Sequence, residues 1–425
     1  MLKQLFCTFF IATFSISSLF AADWAAFRGS DGNAKSPDTG LLKQWNPDGP
    51  RLLWTADFIG YGYSSASIAN GRIFITGNVE RNGEMLSMVF CLGMDGNVIW
   101  ENDNGPAHTS ARAYPGTRGT VTVEGNVAFD ITPLGQITCF NATTGEKIWS
   151  RNPLNEYEVP MPFWRFGHSI LLEGNYIIYP TGGPKHIAIA LDKRTGETVW
   201  EAAPVAEPAG SVLGYTTPYA FDFEGTRVVT VMSVVTIEGF DATNGRKLFS
   251  IPWQNRLTCN CTMPIYHDGH LLASTGYSYG TKLFKLSKNA NGTITPEEMW
   301  FQPALDNQHG GILLIDGYIY GSAHENNRNS WGAVNFATGE VGFMTRVPGM
   351  GQGAVFYADG LIYGLSEDTH TVFLWEPNPR EFTVLSSFEL PNEVDGSSWA
   401  HPVVIGGRLY VRHGQYLYCY DVRSQ

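Results

Sequence analysis

The sequence predicts an all-β fold, an eight-bladed β-propeller of four-stranded antiparallel blades, and two recurring patterns predict it. One is a turn of the type Asp/Asn-x-x-Thr-Gly followed by a strand that ends in an aromatic residue, found at 141–149 and again at 192–200, 241–249 and 335–343. The other is an apolar run, a turn glycine and a further strand, which occurs eight times. Self-similarity at roughly 40–50 residues, with about four strands in each unit, is typical of propeller blades.

The first pattern has a local chemistry that explains its turn. Asn141 and Asp192 open two of the copies, and a side-chain oxygen at this position accepts backbone hydrogen bonds. Gly145 and Gly196 follow, because glycine adopts the positive φ of such hairpins at little steric cost. We therefore expect each copy to be a hairpin that closes one repeat unit.

The two ends of the chain predict how the ring closes. The first closing aromatic, Trp54, precedes the first turn glycine, Gly71, whereas the last unit stops at Asp421 without a closing strand of its own. We expect the strand near 51–58 to complete the last blade beside 401–422, which protects the edge strands. The residues that close the units are Trp54, Trp100, Trp149, Trp200, Phe249, Trp300, Phe343 and Leu385.

Residues 1–21 have the features of a secretory signal peptide. Lys3 precedes an apolar stretch over 5–20, and Ala21 offers a small residue at the cleavage point. Cys7 follows Phe6 rather than a small residue, which argues against a lipid anchor. No other stretch is apolar enough to span a membrane. We expect an exported chain, periplasmic or extracellular, with an N-terminal arm over 22–50 and one propeller domain over 51–425.

The composition narrows the classes of partner. The formal net charge is −12 at pH 7, which argues against sequence-independent binding to nucleic acid or anionic lipid. Charged residues make up 16% of the chain and aromatic residues 13%, with 47 glycines, a balance that suits many short strands and tight turns. The expected partner is an unidentified small molecule or protein, and the expected state is a monomer.

The five cysteines that follow the expected signal peptide fall into two groups. Cys91, Cys139 and Cys419 each stand in the strand before a repeat's turn, and we expect them to be small buried residues. Cys259 and Cys261 are separated by a single asparagine. They form either a strained local disulfide or two thiols at the mouth of the channel.

The leading ends of the innermost strands predict a ligand site. These strands line the axial channel, and positions six and eight residues before each turn glycine lie on the same side of their strands. Together with the loops that lead in, they predict a binding mouth made of Tyr63, Ser65, Arg118, Trp164, His168, Tyr215, Cys259, Cys261, His309, Gln352, Trp399 and His401.

This set of side chains has more than one interpretation. Aromatic rings to stack on a ligand, with His and Arg to bind an anion, indicate a pocket for a planar or polar ligand. The alternative is that the same side chains plug the channel and satisfy buried backbone groups. A metal site built from the histidines is a further alternative, although no local ligand spacing supports it.

The repeat resembles that of the pyrroloquinoline quinone (PQQ)-like β-propellers, and the resemblance covers essentially all of 52–422. That family includes quinoprotein alcohol dehydrogenases, which use PQQ and calcium, and a propeller lipoprotein of the outer-membrane β-barrel assembly machinery. The arm Trp24-Ala-Ala-Phe-Arg-Gly and the stretches 50–54 and 62–65 are similar to a third branch, the secreted bacterial PQQ-like proteins.

The resemblance implies three candidate functions. The first is a ligand- or protein-binding scaffold without catalysis. The second is a PQQ-dependent dehydrogenase for alcohols or sugars, for which PQQ with calcium is a possible cofactor and no cofactor is certain. The chain departs from the enzymes that the repeat resembles in two features. Those enzymes have two adjacent cysteines, whereas Asn260 separates the two cysteines here, and no Cys-x-x-Cys-His haem motif occurs. The third is an outer-membrane assembly factor.

The candidate carboxylates for the dehydrogenase hypothesis, Asp306, Glu325 and Asp395, lie in predicted loops.

Overall fold

The computed structural model describes residues 23–203, 213–391, 394 and 396–424. Within them the chain forms eight four-stranded antiparallel sheets, which confirms the predicted eight-bladed propeller. The expected signal peptide over 1–21 lies outside the described residues.

Seven blades are built from four consecutive strands, and the eighth borrows a strand from the start of the chain. That strand is β1 (Arg51–Ala56). Blade 1 contains β2 (Ser67–Ala69), β3 (Arg72–Arg81), β4 (Glu84–Gly93) and β5 (Val98–Pro106), and blade 2 contains β6 (Thr122–Glu124), β7 (Val127–Ile131), β8 (Ile137–Asn141) and β9 (Lys147–Arg151). Blade 3 contains β10 (Leu171–Glu173), β11 (Tyr176–Pro180), β12 (Ala188–Asp192) and β13 (Thr198–Ala202). Blade 4 contains β14 (Tyr219–Phe223), β15 (Thr226–Met232), β16 (Thr236–Asp241) and β17 (Lys247–Pro252).

The remaining four blades follow the same order around the ring. Blade 5 contains β18 (Ile265–His267), β19 (His270–Thr275), β20 (Gly280–Lys288) and β21 (Ile294–Gln302), and blade 6 contains β22 (Ile312–Ile315), β23 (Tyr318–Ala323), β24 (Ser330–Asn335) and β25 (Val341–Arg346). Blade 7 contains β26 (Gly353–Ala358), β27 (Leu361–Ser366), β28 (Thr371–Glu376) and β29 (Thr383–Glu389). Blade 8 contains β30 (Val403–Ile405), β31 (Arg408–His413) and β32 (Tyr416–Asp421), together with β1.

The ring closes as the sequence predicts. Strand β1 runs antiparallel to β32, with Arg51 opposite Asp421 and Ala56 opposite Leu417. The side chains of Arg51 and Asp421 also form an ion pair at 2.7 Å. The first and last strands of the propeller therefore share blade 8, in which β1 is the outermost strand and pairs with the edge of β32.

The repeated turn joins neighbouring blades. Asn141 Oδ1 accepts hydrogen bonds from the backbone N–H groups of Thr143 and Thr144 at 2.9 and 3.1 Å, and Gly145 adopts φ 77°. Trp100 of the preceding blade packs on this glycine, and its Nε1 donates to the carbonyl of Ala142 at 3.0 Å. The same docking recurs for Trp54 on Gly96, Trp149 on Gly196, Trp200 on Gly245 and Trp300 on Gly339.

The antiparallel order gives the propeller two different faces. The first strand of each blade begins at one face of the propeller. The loops between the second and third strands lie on that same face. We call this the mouth face. The opposite face carries the two hairpin turns of each blade, including the Thr-Gly turns, and we call it the turn face.

The N-terminal arm crosses the channel. Trp24 exchanges backbone hydrogen bonds with Ile68 of blade 1, and the Arg28 guanidinium donates to the carbonyl of Ile312 of blade 6 at 2.6 Å. Farther along, the carbonyl of Ala34 accepts from the N–H of Tyr357 of blade 7 at 2.9 Å. Since these partners lie on innermost strands on both sides of the axis, the arm fills part of the channel between the two faces.

Regular helix is confined to a 3₁₀ turn at Ala111–Ala113 and a short helix α1 (Pro153–Glu156) in the part of the chain that the structure describes. None of the described helices has the length and apolar character needed to cross a membrane. Cys91, Cys139 and Cys419 are buried free thiols, as the sequence predicts.

Candidate functional site

A cavity of about 590 Å³ opens on the mouth face along the propeller axis, and we call it the axial cavity. It is lined by side chains from loops of several blades. Ten of the twelve predicted residues line it: Tyr63, Arg118, Trp164, Tyr215, Cys259, Cys261, His309, Gln352, Trp399 and His401. Its volume falls within the range of small-molecule pockets in proteins.

The other two predicted residues lie behind the lining. Ser65 is buried, and its Oγ accepts a hydrogen bond from the backbone N–H of His401 at 2.9 Å, which ties blade 1 to blade 8. His168 is buried against the ring of Phe166, and neither of its ring nitrogens has a partner. Burial lowers the pKa of His168 to about 3, so the ring is neutral at physiological pH.

One wall of the axial cavity is aromatic. The rings of Tyr63 and Tyr114 each lie 4.8 Å from that of Trp399, and Tyr114 continues to Trp164 at 5.7 Å. Tyr114 is 46% exposed, which places it where the cavity meets solvent. Tyr114 and Tyr277 also adopt positive φ, at 52° and 59°. Non-glycine residues pay for this conformation in strain, and such residues cluster at functional sites.

Arg118 brings a positive charge into the axial cavity. Its guanidinium donates to the carbonyls of Ala113, Tyr114 and Trp164, and its Nε has no partner. No carboxylate among the described residues forms an ion pair with it. Burial lowers the pKa of Arg118 from its ordinary value, although a guanidinium remains protonated. The cavity thus holds a cation whose charge is met only by neutral oxygens.

A carboxyl group lies beside the aromatic wall. Glu367 accepts a hydrogen bond from Gln352 Nε2 at 2.7 Å and another from Trp399 Nε1 at 3.1 Å, and its Oε2 lies 3.1 Å from His309 Nε2. Burial raises the pKa of Glu367 to about 7, with the charge of Asp368 adding to the rise and the two hydrogen bonds opposing it. Burial lowers the pKa of His309 to about 4. The carboxyl group therefore titrates near neutral pH beside a neutral imidazole.

Two thiols form a third part of the lining. The Sγ atoms of Cys259 and Cys261 lie 3.5 Å apart, and both cysteines are free. The predicted alternative of two thiols at the mouth therefore describes this structure. Tyr215 and Tyr277 line the axial cavity near them.

The arm forms the floor of the axial cavity. The ring of Phe27 lies 4.9 Å from that of His401, and Phe27 also lines a second cavity of about 470 Å³ beside the arm. His401 donates from Nε2 to the carbonyl of His309 at 2.9 Å. Burial lowers the pKa of His401 to about 3, and the nearby positive charge of Arg28 also lowers it. The rings of Phe27 and the neutral His401 therefore give the axial cavity an aromatic floor.

Several lining residues were missed because they belong to loops between second and third strands. Tyr277 follows β19, His324 follows β23 and Glu367 follows β27, and all three line the axial cavity. The sequence signal that could have found them is topological, since these loops return to the mouth face. Phe27, in the arm, had no such signal.

The three candidate carboxylates have different fates. Asp306 is fully buried and accepts backbone N–H groups of Ser278, His324 and Glu325. It is therefore a structural clamp between two loops rather than a solvated loop acid. Glu325 lies at the rim, paired with Arg256. Asp395 lies outside the described residues. Within the described ranges, no three His, Cys, Asp or Glu side chains are grouped so that they could hold a metal ion.

Comparison with known proteins gives both a family and a fold. A family model described as outer membrane protein assembly factor BamB matches residues 29–168 and 87–330. The outer membrane protein assembly factor BamB of Burkholderia pseudomallei (strain K96243) is 31% identical over 192 residues, which cover 42% of this chain and 44% of that protein. The chain therefore matches less than half the length of this curated relative.

Solved structures share the architecture at low identity. BamB from Moraxella catarrhalis superposes with a TM-score of 0.59 at 14% identity, covering 88% of this chain and 99% of that one. The quinohemoprotein alcohol dehydrogenase from Comamonas testosteroni gives a TM-score of 0.65 at 12% identity, covering 95% and 80%. At these identities the similarity concerns the fold alone.

Proposed function

The chain belongs to the PQQ-like β-propeller family described as outer membrane protein assembly factor BamB, and on this basis we propose an exported scaffold whose axial cavity binds a small aromatic anion. Export rests on the sequence of residues 1–21. The observation that supports this class of ligand is the position of Arg118. Its guanidinium lines a cavity with an aromatic wall and has no carboxylate partner among the described residues.

The charge of Arg118 sets the sign of the ligand. A charge removed from water is costly unless an opposite charge or several hydrogen bonds compensate for it. Arg118 has three carbonyl partners, but a guanidinium forms its strongest contacts with carboxylate or phosphate oxygens. A carboxylate on the ligand would supply the missing negative charge.

The aromatic wall sets the shape of the ligand. Tyr63, Tyr114, Trp164 and Trp399 form a chain of ring contacts on one side of the axial cavity. Each aromatic pair contributes about 0.5–1.5 kcal/mol to the binding free energy, in addition to the contribution of the apolar area that it buries. A planar ring that carries a carboxylate would therefore meet both the wall and the guanidinium.

Titration of the full chain with a matched panel of ligands tests this proposal. Calorimetry and tryptophan fluorescence would compare aromatic carboxylates, including PQQ, with neutral aromatic amides and with acetate. We expect saturable binding of aromatic carboxylates alone and quenching of Trp164 and Trp399. Equal affinity for the neutral amides, or no binding of any aromatic carboxylate, would contradict the proposal.

A dehydrogenase function needs PQQ with calcium, and the residues present do not fit the calcium part. The two oxygens of Glu367 already accept from Gln352 and Trp399, and its raised pKa favours the neutral acid, a weak ligand for a hard cation. We therefore derive no catalytic step through this cofactor. Calcium-dependent PQQ binding with dye reduction by an alcohol would support the enzyme instead.

A role as an assembly scaffold is the second candidate, and family membership favours it. The outermost strands β5, β9, β13 and β21 expose large apolar side chains, which suit contact with a protein partner. These residues are Val98, Ile99, Ile148, Val199, Met299 and Phe301. Capture of a β-barrel insertase from the native membrane by the tagged chain would support this role, and its absence under gentle solubilisation would count against it.

A further inference from the structure

The two cysteines of the axial cavity differ from the other three in the described chain. Cys91, Cys139 and Cys419 lie within strands β4, β8 and β32, where burial raises the pKa of each thiol to about 12. Cys259 and Cys261 instead line the axial cavity, with their sulfur atoms 3.5 Å apart. Only this pair combines proximity with access to a cavity among the described cysteines.

The loop that carries the pair is held in place by two buried asparagines. Asn255 accepts the backbone N–H of Cys259 at 3.1 Å and donates to its carbonyl at 2.6 Å. Asn260 points away from the axial cavity, and its Nδ2 donates to the carbonyl of Ser233 at 2.7 Å. Since Asn260 is fixed on one side, its two neighbours face the other side together.

The distance between the sulfur atoms is close to that of a bond-forming pair. A disulfide has an S–S length of about 2.05 Å, so the two atoms need to approach by roughly 1.5 Å. Rotation about the side-chain bonds of Cys259 and Cys261, which lie on the same side of the loop, supplies a movement of this size.

The surroundings also divide the roles of the two thiols. A hydrogen bond from Cys261, together with the nearby charge of Arg118, lowers the pKa of Cys259, whereas the same contact raises the pKa of Cys261. The thiolate is the nucleophile in thiol–disulfide exchange. The Tyr277 hydroxyl, whose oxygen accepts from Gln308 Nε2 at 2.7 Å, also hydrogen-bonds Cys259, so that a thiolate there has two neighbouring donors. Cys259 is therefore suited to attack, and Cys261 is suited to keep its proton until the second step.

We propose that Cys259 and Cys261 are a redox-active dithiol, which a disulfide-bearing oxidant that enters the axial cavity converts to an intramolecular disulfide. The Cys259 thiolate attacks one sulfur of the oxidant, forming a mixed disulfide and releasing one thiolate. Cys261 then loses its proton and attacks Cys259 Sγ, forming the Cys259–Cys261 bond and releasing the second thiol. The dithiol loses two electrons and two protons, and the oxidant is reduced to two thiols.

The test exposes the reduced full chain to glutathione disulfide under native conditions, followed by intact mass measurement and peptide mapping. Mapping separates the pair from Cys7 and from the three buried cysteines. We expect a loss of about 2 Da, from two hydrogens, located in the peptide that contains Cys259 and Cys261. Two glutathione thiols should be released for each chain.

Single variants identify the two steps. Cys261→Ser should stop at a stable mixed disulfide on Cys259, whereas Cys259→Ser should react at least tenfold more slowly. Cys139→Ala is the matched control and should behave as the parent. Circular dichroism and thermal unfolding of every variant show whether the fold is intact.

Two results would overturn the proposal. One is a parent chain, folded and reduced, whose cysteine pair stays unmodified while the same peptide reacts after denaturation. The other is a mixed disulfide that persists in the parent as long as it does in Cys261→Ser. Neither readout depends on a ligand, so the proposed binding function can fail while this inference stands, and the reverse also holds.

Discussion

Glu367 Oε2 lies 3.1 Å from His309 Nε2 in the wall of the axial cavity. The other ring nitrogen of His309 lies 3.3 Å from Gln308 Oε1, an acceptor, so the proton of a neutral ring belongs on Nδ1. Nε2 then presents a lone pair to Glu367. His309 Nε2 has no hydrogen-bond partner despite this short distance, and burial is the main cause of the raised pKa of Glu367.

This pair predicts how pH controls the binding of an anionic ligand. Below pH 7 Glu367 is neutral, and above pH 7 it adds a negative charge to the axial cavity. We expect the affinity for an aromatic carboxylate to fall ~5-fold, about 1 kcal/mol, between pH 6 and 8. Calorimetry across this range measures it. Glu367→Gln should flatten the profile, whereas Glu325→Gln at the rim should retain it, and a parent profile that is already flat would contradict the assignment.

Arg118 predicts the largest loss of binding by a single substitution. Arg118→Met removes the cation that faces the ligand, and we expect a ~10- to 100-fold weaker affinity for an aromatic carboxylate, in line with charge-assisted hydrogen bonds of about 1.5–3 kcal/mol. Arg118→Lys should retain part of the affinity. Arg256→Met, at the exposed ion pair with Glu325, is the control. Parent-like binding by a folded Arg118→Met chain would rule out this role.

His168 predicts a source of acid sensitivity. Its pKa is about 3 in the folded chain and about 6.5 when unfolded, so the unfolded state binds more protons between these values. Its contribution to stability is complete above pH 6.5 and is lost as the pH falls toward 3. We expect His168→Leu to unfold at a lower pH than the parent in an acid titration followed by near-ultraviolet circular dichroism.

The control for this prediction is an exposed imidazole. His267→Leu removes a histidine whose side chain is exposed, and its acid transition should match that of the parent. A His168→Leu chain with the parent's acid midpoint would show that other groups govern the transition.

The blade junctions predict a matched pair of glycine substitutions. Gly145 and Gly71 have similar φ angles of 77° and 69°, but a Cβ on Gly145 would lie 2.6 Å from the Trp100 ring, whereas a Cβ on Gly71 meets nothing within 4 Å. Gly71→Ala should cost about 1–2 kcal/mol for the backbone conformation alone. Gly145→Ala should cost roughly 1–3 kcal/mol more, because the indole must move. Urea unfolding of both variants measures the difference, and equal losses would contradict the docking.

The fold was predictable because its information is repeated. The Asn141 turn and its copies report the same hairpin several times, and the position of Trp54 before the first repeat predicts the shared blade. Ten of the twelve predicted mouth residues line the axial cavity for a similar reason. Tyr63, His309 and Trp399 stand at equivalent positions of their blades, so that strand alternation alone brings them to one face.

The rest could not be read from local patterns. Glu367 stands in Leu-Ser-Glu-Asp-Thr, which is typical of an exposed turn, and its burial depends on Gln352 and on Trp399 from the next blade. Its shifted pKa is therefore a product of tertiary contacts. The path of the arm is similar, because residues 24–36 have no periodicity that indicates which strands they touch.

The course of the arm has a consequence for exchange with solvent. Among the described residues, Phe27 separates the axial cavity from the second cavity, so we expect a molecule to enter and leave by the mouth face. Its residence time then depends on whatever occupies that face. A protein docked across the mouth would either trap the bound molecule or wait for it to depart, so that occupancy of the cavity and recruitment of a partner would become kinetically linked.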